Sequence, residues 1–342
     1  MMHRSTTPAR ALLAAAILLG LAAGPARAQA PESAARPAAE AKLFAPGAIS
    51  TGDYELNAAF SPDGGTLYFT KASPDPRFTS LTIVSARMDR GKWTTPEVVS
   101  FSGRYPDVDP ALSPDGSKLF FVSKRPVEGT APKEDFDIWV ADRTGKDKWG
   151  EPRRLDAPIN TGSEEFYPAV AASGNLYFAS ARGESLDLYR ARFVDGKYAE
   201  PENLGPAVNS EHAEVDVYVA PDESFIVFVS YRPGQGNGDL YISYNRGGAW
   251  SPAQNLGDQV NTPAREYTPA MTPNGKYLFW TSDRSLMAEP GAAPMTYEEL
   301  SEKLHNPGNG LGDLYMIDLA GVQPMAPAGA DGGAATSALS PR

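Results

Sequence analysis

One short phrase recurs five times along this chain, and its spacing constrains the fold more than any other feature. The copies open at Phe60, Leu112, Val170, Val219 and Met271. They lie 49 to 58 residues apart, and an apolar run rich in aromatic residues follows each copy. A period of this length is typical of repeat architectures, in which every unit builds the same small piece of structure.

The pattern within each repeat predicts four short strands. The first is rich in alanine and leads into a Pro-Asp-Gly type of tight turn. The second is a continuous apolar run such as Leu119–Val122, which indicates a strand buried on both faces. The third carries Asp-Leu-Tyr or Asp-Ile-Trp, and the fourth contains a proline, which places it at a sheet edge. Sheets of this kind are typical of propeller blades.

The two ends of the repeat region complement each other. The fifth repeat stops after Asp313–Met316 without a fourth strand, whereas residues 42–50 resemble the fourth strands of other repeats. We therefore expect an all-β, five-bladed propeller of four-stranded antiparallel blades. An amino-terminal strand would complete the last blade and close the ring.

The Ser-Pro-Asp-Gly copies, the arginine after the second strand and the Asp-Leu-Tyr of the third strand resemble the TolB-type WD-like β-propeller repeat family of exported bacterial proteins. The resemblance covers residues 42–320 and implies a propeller fold. It implies no single function, because this repeat occurs in scaffolds, in sensor-like proteins and in propellers attached to peptidases. The TolB protein has the features of a six-bladed propeller with an added α/β domain, so we do not expect this chain to be TolB itself.

The amino terminus resembles a secretory signal. Arg4 and Arg10 precede an apolar stretch over residues 11–23, and Ala26-Arg27-Ala28 matches a cleavage pattern. The expected organisation is a signal peptide over residues 1–28, a disordered linker over 29–41, the propeller over 42–322 and a disordered tail over 323–342. Export predicts a periplasmic protein, with secretion as the alternative.

Charge narrows the class of partner. The chain has a formal net charge of -11, and removing the three arginines of the signal segment makes it -14. Such a surface repels nucleic acid and anionic lipid headgroups, and no later apolar run is long enough to span a membrane. We expect the partner to be an envelope protein, a peptide or a polymer.

A carboxylate stands five residues before the apolar residue that opens each phrase. The five are Glu55, Asp107, Glu165, Glu214 and Glu266. Equivalent positions in successive blades share one radius and height, so we expect a ring at one mouth of the central channel. Four arginines follow the second strand and are expected on the same face: Arg125, Arg182, Arg232 and Arg284. The first repeat has Ser73 there instead.

Two interpretations of this ring stay open. Each arginine can bind a carboxylate and tie the blades together, which is a structural role. Alternatively, the ring binds a ligand, since five acids facing four arginines leave one charge to be answered by a cation or a cationic group. Ca²⁺ or another cation at the channel mouth is then the expected cofactor, although the residues do not identify a metal.

Motifs for catalysis are sparse. Only His212 and His305 follow the signal segment, and Gly-x-Ser-x-Gly is absent from the sequence, so we predict no catalytic residues. The fifth repeat contains a long insertion in which residues 296–305 predict a short helix with Thr296 as its N-cap. Residues of this insertion are candidates for binding a partner: Met287, Met295, Tyr297 and Leu300.

These patterns favour a non-enzymatic binding or scaffolding module of the cell envelope. The alternative is a carbohydrate-active enzyme, similar to a glycoside hydrolase, that uses carboxylates at the channel mouth. The equivalence of the five acids argues against the enzyme, because an acid and a nucleophile need environments that separate their pKa values.

Overall fold

The computed structural model describes residues 39–74, 80–129, 131–146, 148–287 and 293–322. The predicted signal segment and tail lie outside these residues, as does most of the predicted linker. Within the linker, the carbonyl of Ala39 accepts a hydrogen bond of 3.1 Å from Gln259. The predicted domain limits stay predictions. None of the helices in the described ranges has the length and apolar character needed to cross a membrane.

The strands follow one another in five groups after a short first strand, β1 (Lys42–Leu43). The first group is β2 (Tyr54–Phe60), β3 (Thr66–Ala72), β4 (Leu81–Asp89), β5 (Lys92–Trp93) and β6 (Glu97–Val98). The second is β7 (Asp107–Leu112), β8 (Lys118–Ser123), β9 (Asp137–Gly145), β10 (Lys148–Trp149) and β11 (Arg153–Arg154). The third is β12 (Glu165–Val170), β13 (Leu176–Ser180), β14 (Asp187–Ala191), β15 (Phe193–Val194), β16 (Lys197–Tyr198) and β17 (Glu202–Asn203).

The fourth group is β18 (Glu214–Val219), β19 (Phe225–Ser230), β20 (Asp239–Arg246), β21 (Ala249–Trp250) and β22 (Gln254–Asn255). The fifth is β23 (Glu266–Met271), β24 (Tyr277–Ser282) and β25 (Asp313–Asp318). Helix α1 (Tyr297–Leu304) lies between β24 and β25, and a 3-10 turn (Leu319–Gly321) follows β25.

Each group is one antiparallel blade, and the blades form a closed ring. The inner strands are β2, β7, β12, β18 and β23, and each packs against the inner strands on both sides, with β2 against β23. Strand β1 pairs with β25, so that Leu43 lies opposite Tyr315. The predicted five-bladed propeller, closed by an amino-terminal strand that completes the last blade, is confirmed.

The outer strand of the first four blades is split into two short pieces. An aromatic residue lies in the first piece, and the predicted proline falls between the pieces, as with Trp93 and Pro96. Because proline has no N–H to donate, the ladder is interrupted there and the strand stays at the edge. In the third blade, β15 and β16 form a separate hairpin.

The second strand of each blade supplies the core. Phe69, Phe121, Phe178 and Phe228 have no exposed surface, as expected for apolar runs buried on both faces. The turn before this strand is held by its own side chains: Ser61 Oγ donates to Asp63, which accepts from the backbone N–H of Gly65 at 2.9 Å.

Candidate functional site

The five predicted carboxylates lie at the start of the inner strands, and none of them is exposed. In four blades the carboxylate accepts from a backbone N–H and a hydroxyl four residues earlier. Ser210, for example, donates through N and Oγ to Glu214, both at 2.7 Å. Each carboxylate is therefore held inside its own blade.

The four predicted arginines bind these carboxylates. The Nη2 to carboxylate distances are 2.7 Å for Arg125 and Asp107, 3.4 Å for Arg182 and Glu165, 3.0 Å for Arg232 and Glu214, and 3.2 Å for Arg284 and Glu266. Each arginine also donates to a carbonyl in the segment that arrives from the preceding blade, as Arg284 does to Val260 at 3.0 Å. These contacts support the structural interpretation of the ring, in which arginine ties neighbouring blades together.

The first blade pairs its carboxylate with lysine rather than arginine. Lys71 Nζ lies 2.7 Å from Glu55 Oε1. Lys71 lies opposite Glu55 on the next strand, at the position that Ser230 occupies opposite Glu214. In the first blade the basic residue therefore stands at the serine position, and Ser73 stands at the arginine position. The expected excess of one unpaired acid was therefore wrong. The assignment of these acids and arginines as ligand-binding residues stays a prediction.

A second ring of side chains lines the channel itself, two residues after each carboxylate. Its members, which we call the channel ring, are Asn57, Asp109, Tyr167, Asp216 and Thr268. Every inner strand has a β-bulge here, and the five residues have φ angles between 51° and 61°. Non-glycine residues rarely adopt this left-handed conformation, and bulges often re-aim side chains next to functional sites.

Members of the channel ring hydrogen-bond from blade to blade. The backbone N–H of Tyr167 donates to Asp109 Oδ2 at 3.3 Å, and that of Thr268 donates to Asp216 Oδ2 at 3.1 Å. The N–H of Asn57 donates to Thr268 Oγ1 at 3.2 Å. In each case a side chain of one blade accepts from the backbone of the next, so the left-handed backbone is held by its neighbours.

Three oxygens of the channel ring lack a hydrogen-bond partner among the described residues. They are the Oδ1 atoms of Asn57, Asp109 and Asp216. Only 4% of Asp109 and 5% of Asp216 is exposed. Buried polar atoms are nearly always paired in folded proteins, so three unpaired acceptors in one ring distinguish it from the repeated carboxylates.

Burial raises the pKa values of both aspartates. It brings the pKa of Asp216 to about 7. Burial, followed by the negative charge of Asp216, raises the pKa of Asp109 well above 3.8. Since the charge of Asp216 disfavours ionisation of Asp109, the pair carries fewer than two negative charges at neutral pH.

A cavity of about 140 Å³ extends from the channel ring to the ends of the inner strands. Its walls include Ala59, Ala111, Ala169 and Ala270, and the strand ends contribute Phe60, Leu112, Val170, Val219 and Met271. Pockets for drug-sized molecules occupy about 300–1,000 Å³. The cavity is therefore smaller than a pocket for a drug-sized molecule.

The turns beyond the strand ends add negative charge to that end of the channel. Asp63, Asp115 and Asp222 are exposed there, and hydrogen bonds from serine hydroxyls lower the pKa of each. Neighbouring turns touch one another, since Pro62 packs against Gly116. These acids remain ionised at neutral pH and attract cations toward the channel.

The other end of the inner strands carries a tyrosine and arginine network. Tyr267 Oη lies 2.7 Å from Tyr54 Oη, and Arg265 Nη2 donates to Tyr54 Oη at 3.1 Å. The charge of Arg265 opposes the rise in the pKa of Asp216, whose principal cause is burial. The positive charge of Arg265 therefore acts on Asp216 from this end, but the described residues include no ion pair between the two.

The predicted helix in the fifth blade is confirmed as α1, with Thr296 and Glu299 forming a capping box. Asn309 anchors the insertion through a 3.0 Å hydrogen bond to the carbonyl of Gly52, which lies just before β2. The insertion and the cavity thus lie toward opposite ends of β2. Leu300 and Met295 are half-buried, whereas 83% of Tyr297 is exposed. Partner binding by these residues and by Met287 stays a prediction.

The two histidines lie apart from the channel ring. His305 caps α1 and His212 lies near Glu211. Within the described ranges, no group of three or more histidine, aspartate or glutamate side chains is arranged to hold a metal ion. The channel ring itself was missed from sequence because its five members differ from blade to blade. Its signal was the two aspartates at one repeat position, Asp109 and Asp216.

No protein-family model matches the chain, and no curated protein does either. Among solved structures, TolB from Acinetobacter baumannii is 18% identical over 78% of this chain, with a TM-score of 0.45, and this chain spans 55% of its length. A TolB-like protein from Agrobacterium tumefaciens is 18% identical, with coverages of 78% and 91% and a TM-score of 0.47.

The gluconolactonase XC5397 from Xanthomonas campestris is 13% identical, with coverages of 83% and 98% and a TM-score of 0.42. These similarities carry no information on the reaction or the partner of this chain. The propeller fold rests on the five blades of the chain itself.

Proposed function

We propose that this chain is a non-enzymatic binding or scaffolding module of the bacterial cell envelope, whose ligand occupies the central channel. The observation that carries the proposal is the channel ring, in which Asn57, Asp109 and Asp216 line the cavity and each keeps a buried Oδ1 without a hydrogen-bond partner among the described residues. A buried acceptor costs free energy when it is unpaired, so a ligand that donates to it gains affinity.

The contrast between the two rings supports this choice. The repeated carboxylates are paired by arginine or lysine within the fold, as Glu266 is by Arg284. Asp109 and Asp216 form no ion pair among the described residues, and both line the cavity. Repetition in every blade favours a structural role, and departure from repetition favours a specific one.

The envelope location rests on the signal-like amino terminus and on the acidic charge. The insertion around α1 is the second surface that we assign to the partner. It departs from the repeat pattern, and its described residues Tyr297, Leu286 and Leu304 are exposed by 83%, 56% and 48%. Exposed apolar side chains on one segment are typical of protein contacts.

The test is capture of bound species from an envelope extract, read by native mass spectrometry. The wild type is compared with an Asp109→Asn/Asp216→Asn double variant, and Asp313→Asn serves as the matched control, because Asp313 is also buried and has an unpaired Oδ1 outside the channel. We expect the double variant alone to lose the captured species. Identical capture by all three proteins would refute a channel site.

Glycoside hydrolysis is the second candidate, favoured by one observation. Two carboxyl groups whose pKa values are both raised line one cavity, and glycoside hydrolases use a pair of carboxyl groups. The enzyme would be established if the wild type turns over aryl glycosides and if each single substitution, Asp109→Asn or Asp216→Asn, abolishes that turnover. The binding proposal predicts no turnover.

A further inference from the structure

Helix α1 turns its polar face toward the base of the insertion. Glu299, Glu302 and Lys303 lie three and four residues apart, so they share one face of the helix, and all three line a cleft there. Leu286 lines the same cleft from the chain that leaves β24. Lys303 Nζ donates to the carbonyl of Leu286 at 3.0 Å. The contact that spans the cleft is therefore a polar one.

An apolar stripe lies on the other side of α1. Its members, which we call the α1 stripe, are Tyr297, Leu300 and Leu304, spaced three and four residues apart. Tyr297 and Leu304 are exposed, Leu300 is half-buried, and none of the three belongs to the hydrophobic clusters of the described residues. A surface helix normally turns its apolar stripe to the core, whereas α1 presents the stripe to solvent.

Negative charge borders the α1 stripe. Glu298 and Glu302 lie four residues apart along one edge of it, and the described residues include no ion pair of either. Glu299 is held in the capping box by Thr296, and Lys303 is held by the carbonyl of Leu286. The stripe and its edge are therefore complementary to apolar groups flanked by positive charge.

A second copy of this chain fits the α1 stripe poorly. An eight-residue helix is about 12 Å long, and stable protein interfaces bury about 1,200–2,000 Å², more than two such helices supply. The formal net charge of -11 adds repulsion between copies. Charge complementarity favours a short segment of opposite charge instead.

We infer that the α1 stripe docks a basic amphipathic segment of the partner. Its large apolar side chains pack on Tyr297, Leu300 and Leu304, and its lysines or arginines face Glu298 and Glu302. This inference rests on the proposed function, because it names the chemistry of the partner that the insertion contacts. It corresponds to recognition of an amphipathic peptide through a few apolar anchors.

The experiment is fluorescence anisotropy with a labelled synthetic peptide of leucine and lysine that forms an amphipathic helix. In one comparison peptide glutamate replaces lysine, and in another serine replaces leucine. We expect the wild type to bind each comparison peptide about tenfold or more weakly, because the first reverses the charge and the second removes the apolar face. Added salt should weaken binding of the leucine–lysine peptide, since the glutamates are exposed.

Two variants locate the site on the stripe. Tyr297→Ser/Leu304→Ser should weaken peptide binding by about tenfold or more, and Val127→Ser is its control, because Val127 is an exposed apolar residue outside the insertion. Glu298→Gln/Glu302→Gln should weaken binding by about threefold or more and reduce its salt dependence. The control for charge is Glu200→Gln/Asp258→Asn, which removes as much charge from exposed positions elsewhere. Circular dichroism should be unchanged in all four, because α1 has no buried residue and the control positions are exposed.

The inference is overturned if the stripe variants bind the leucine–lysine peptide like the wild type or if the control variants lose as much affinity. It is also overturned if the glutamate peptide binds as well, or if sedimentation shows a dimer that Tyr297→Ser/Leu304→Ser dissociates, which would assign a second copy. Failure of the peptide together with capture from extract that depends on Asp109 and Asp216 would leave the proposed channel ligand intact. Stripe-dependent peptide binding without aspartate-dependent capture would overturn the channel ligand and keep this inference.

Discussion

Leu43 lies opposite Tyr315 in the antiparallel pair that joins the first strand of the chain to the last. The equivalent partners in other blades are Arg154 opposite Trp139 and Asn203 opposite Tyr189. The same position is therefore apolar in the last blade and in the first, where Val98 lies opposite Val84, whereas the second, third and fourth blades use a polar residue. Two consequences follow, one for closure and one for the neighbouring Asp313.

Because the amino-terminal segment closes the ring, we expect its removal to cause a large loss of stability. Ile49 and Ser50 have no exposed surface, and Phe44 packs edge-on against Phe279 with ring centroids 4.8 Å apart. We expect deletion of residues 42–50 to cost about 5 kcal/mol or more and to lower the melting temperature by about 10 °C or more. Deletion of residues 323–342 is the control, and calorimetry showing equal losses would contradict closure by this segment.

The second consequence is a buried acid that lacks its repeat partner. Asn203 and Asn255 donate to Asp187 and Asp239 at 2.8 Å and 2.9 Å, but Leu43 has no donor for Asp313. Burial raises the pKa of Asp313 to about 7. Gly308 N–H and the charge of Lys71 oppose this rise, whereas the charge of Glu55 adds to it.

The sign of the pH dependence follows from this shift. Between pH 3.8 and about 7 the folded protein keeps a proton on Asp313 that the unfolded chain has released, so stability falls as pH rises through this range. We expect the Asp313→Asn substitution to favour the folded state more at pH 8 than at pH 4. Its effect on the free energy of unfolding, relative to the wild type, should differ by on the order of 2–4 kcal/mol between the two pH values. Denaturant unfolding at the two pH values measures this difference. Leu43→Asn should reduce the same pH dependence, and parallel wild-type and Asp313→Asn curves would contradict the assignment.

Lys71 provides a test of the repeated carboxylates. Because Glu55 is fully buried, removing the charge of Lys71 leaves an uncompensated carboxylate, and Lys71→Met should cost about 3 kcal/mol at pH 7. The Glu55→Gln/Lys71→Met variant should recover part of that loss. Asp53→Asn is the control, because Asp53 also contacts Lys71 but its side chain is 70% exposed. Equal losses for the lysine and Asp53 substitutions would remove the structural role of the pair.

The insertion should behave as a surface and not as core. Helix α1 has no buried residue, so replacing residues 287–307 by a short Gly-Ser turn should leave near-ultraviolet circular dichroism nearly unchanged. The melting temperature should fall by only a few degrees, and capture of a partner should weaken. A collapse in stability would instead assign this segment to the fold.

The repeats made the fold predictable to a degree that the site was not. Tight turns, buried second strands and edge prolines each have a local chemical cause, and their fivefold recurrence removes ambiguity, as Phe121 and Pro152 illustrate. Even closure was predictable, since the missing strand of the last blade had to come from residues 42–50.

The candidate site could not be predicted from the sequence because it lies where the repeats differ. The repeated acids, such as Glu165 and Glu214, are visible in the sequence. Their pairing with the arginine of the same blade is not, because it depends on burial that the sequence does not show. The exchange of Lys71 for serine opposite Glu55 was readable only with the register known. The left-handed bulge that places Asp109 and Asp216 on the cavity has no residue signature, because asparagine, tyrosine and threonine occupy it in other blades.

The most direct test of a ligand in the channel ring is to compare the backbone amide shifts of the labelled chain before and after incubation with the envelope extract. We expect the largest shifts at Asn57, Asp109, Tyr167, Asp216 and Thr268, whose amides or side chains form the ring. The largest shifts at the repeated pairs, such as Glu214 with Arg232, or no shifts anywhere in the inner strands, would contradict a ligand in the channel ring.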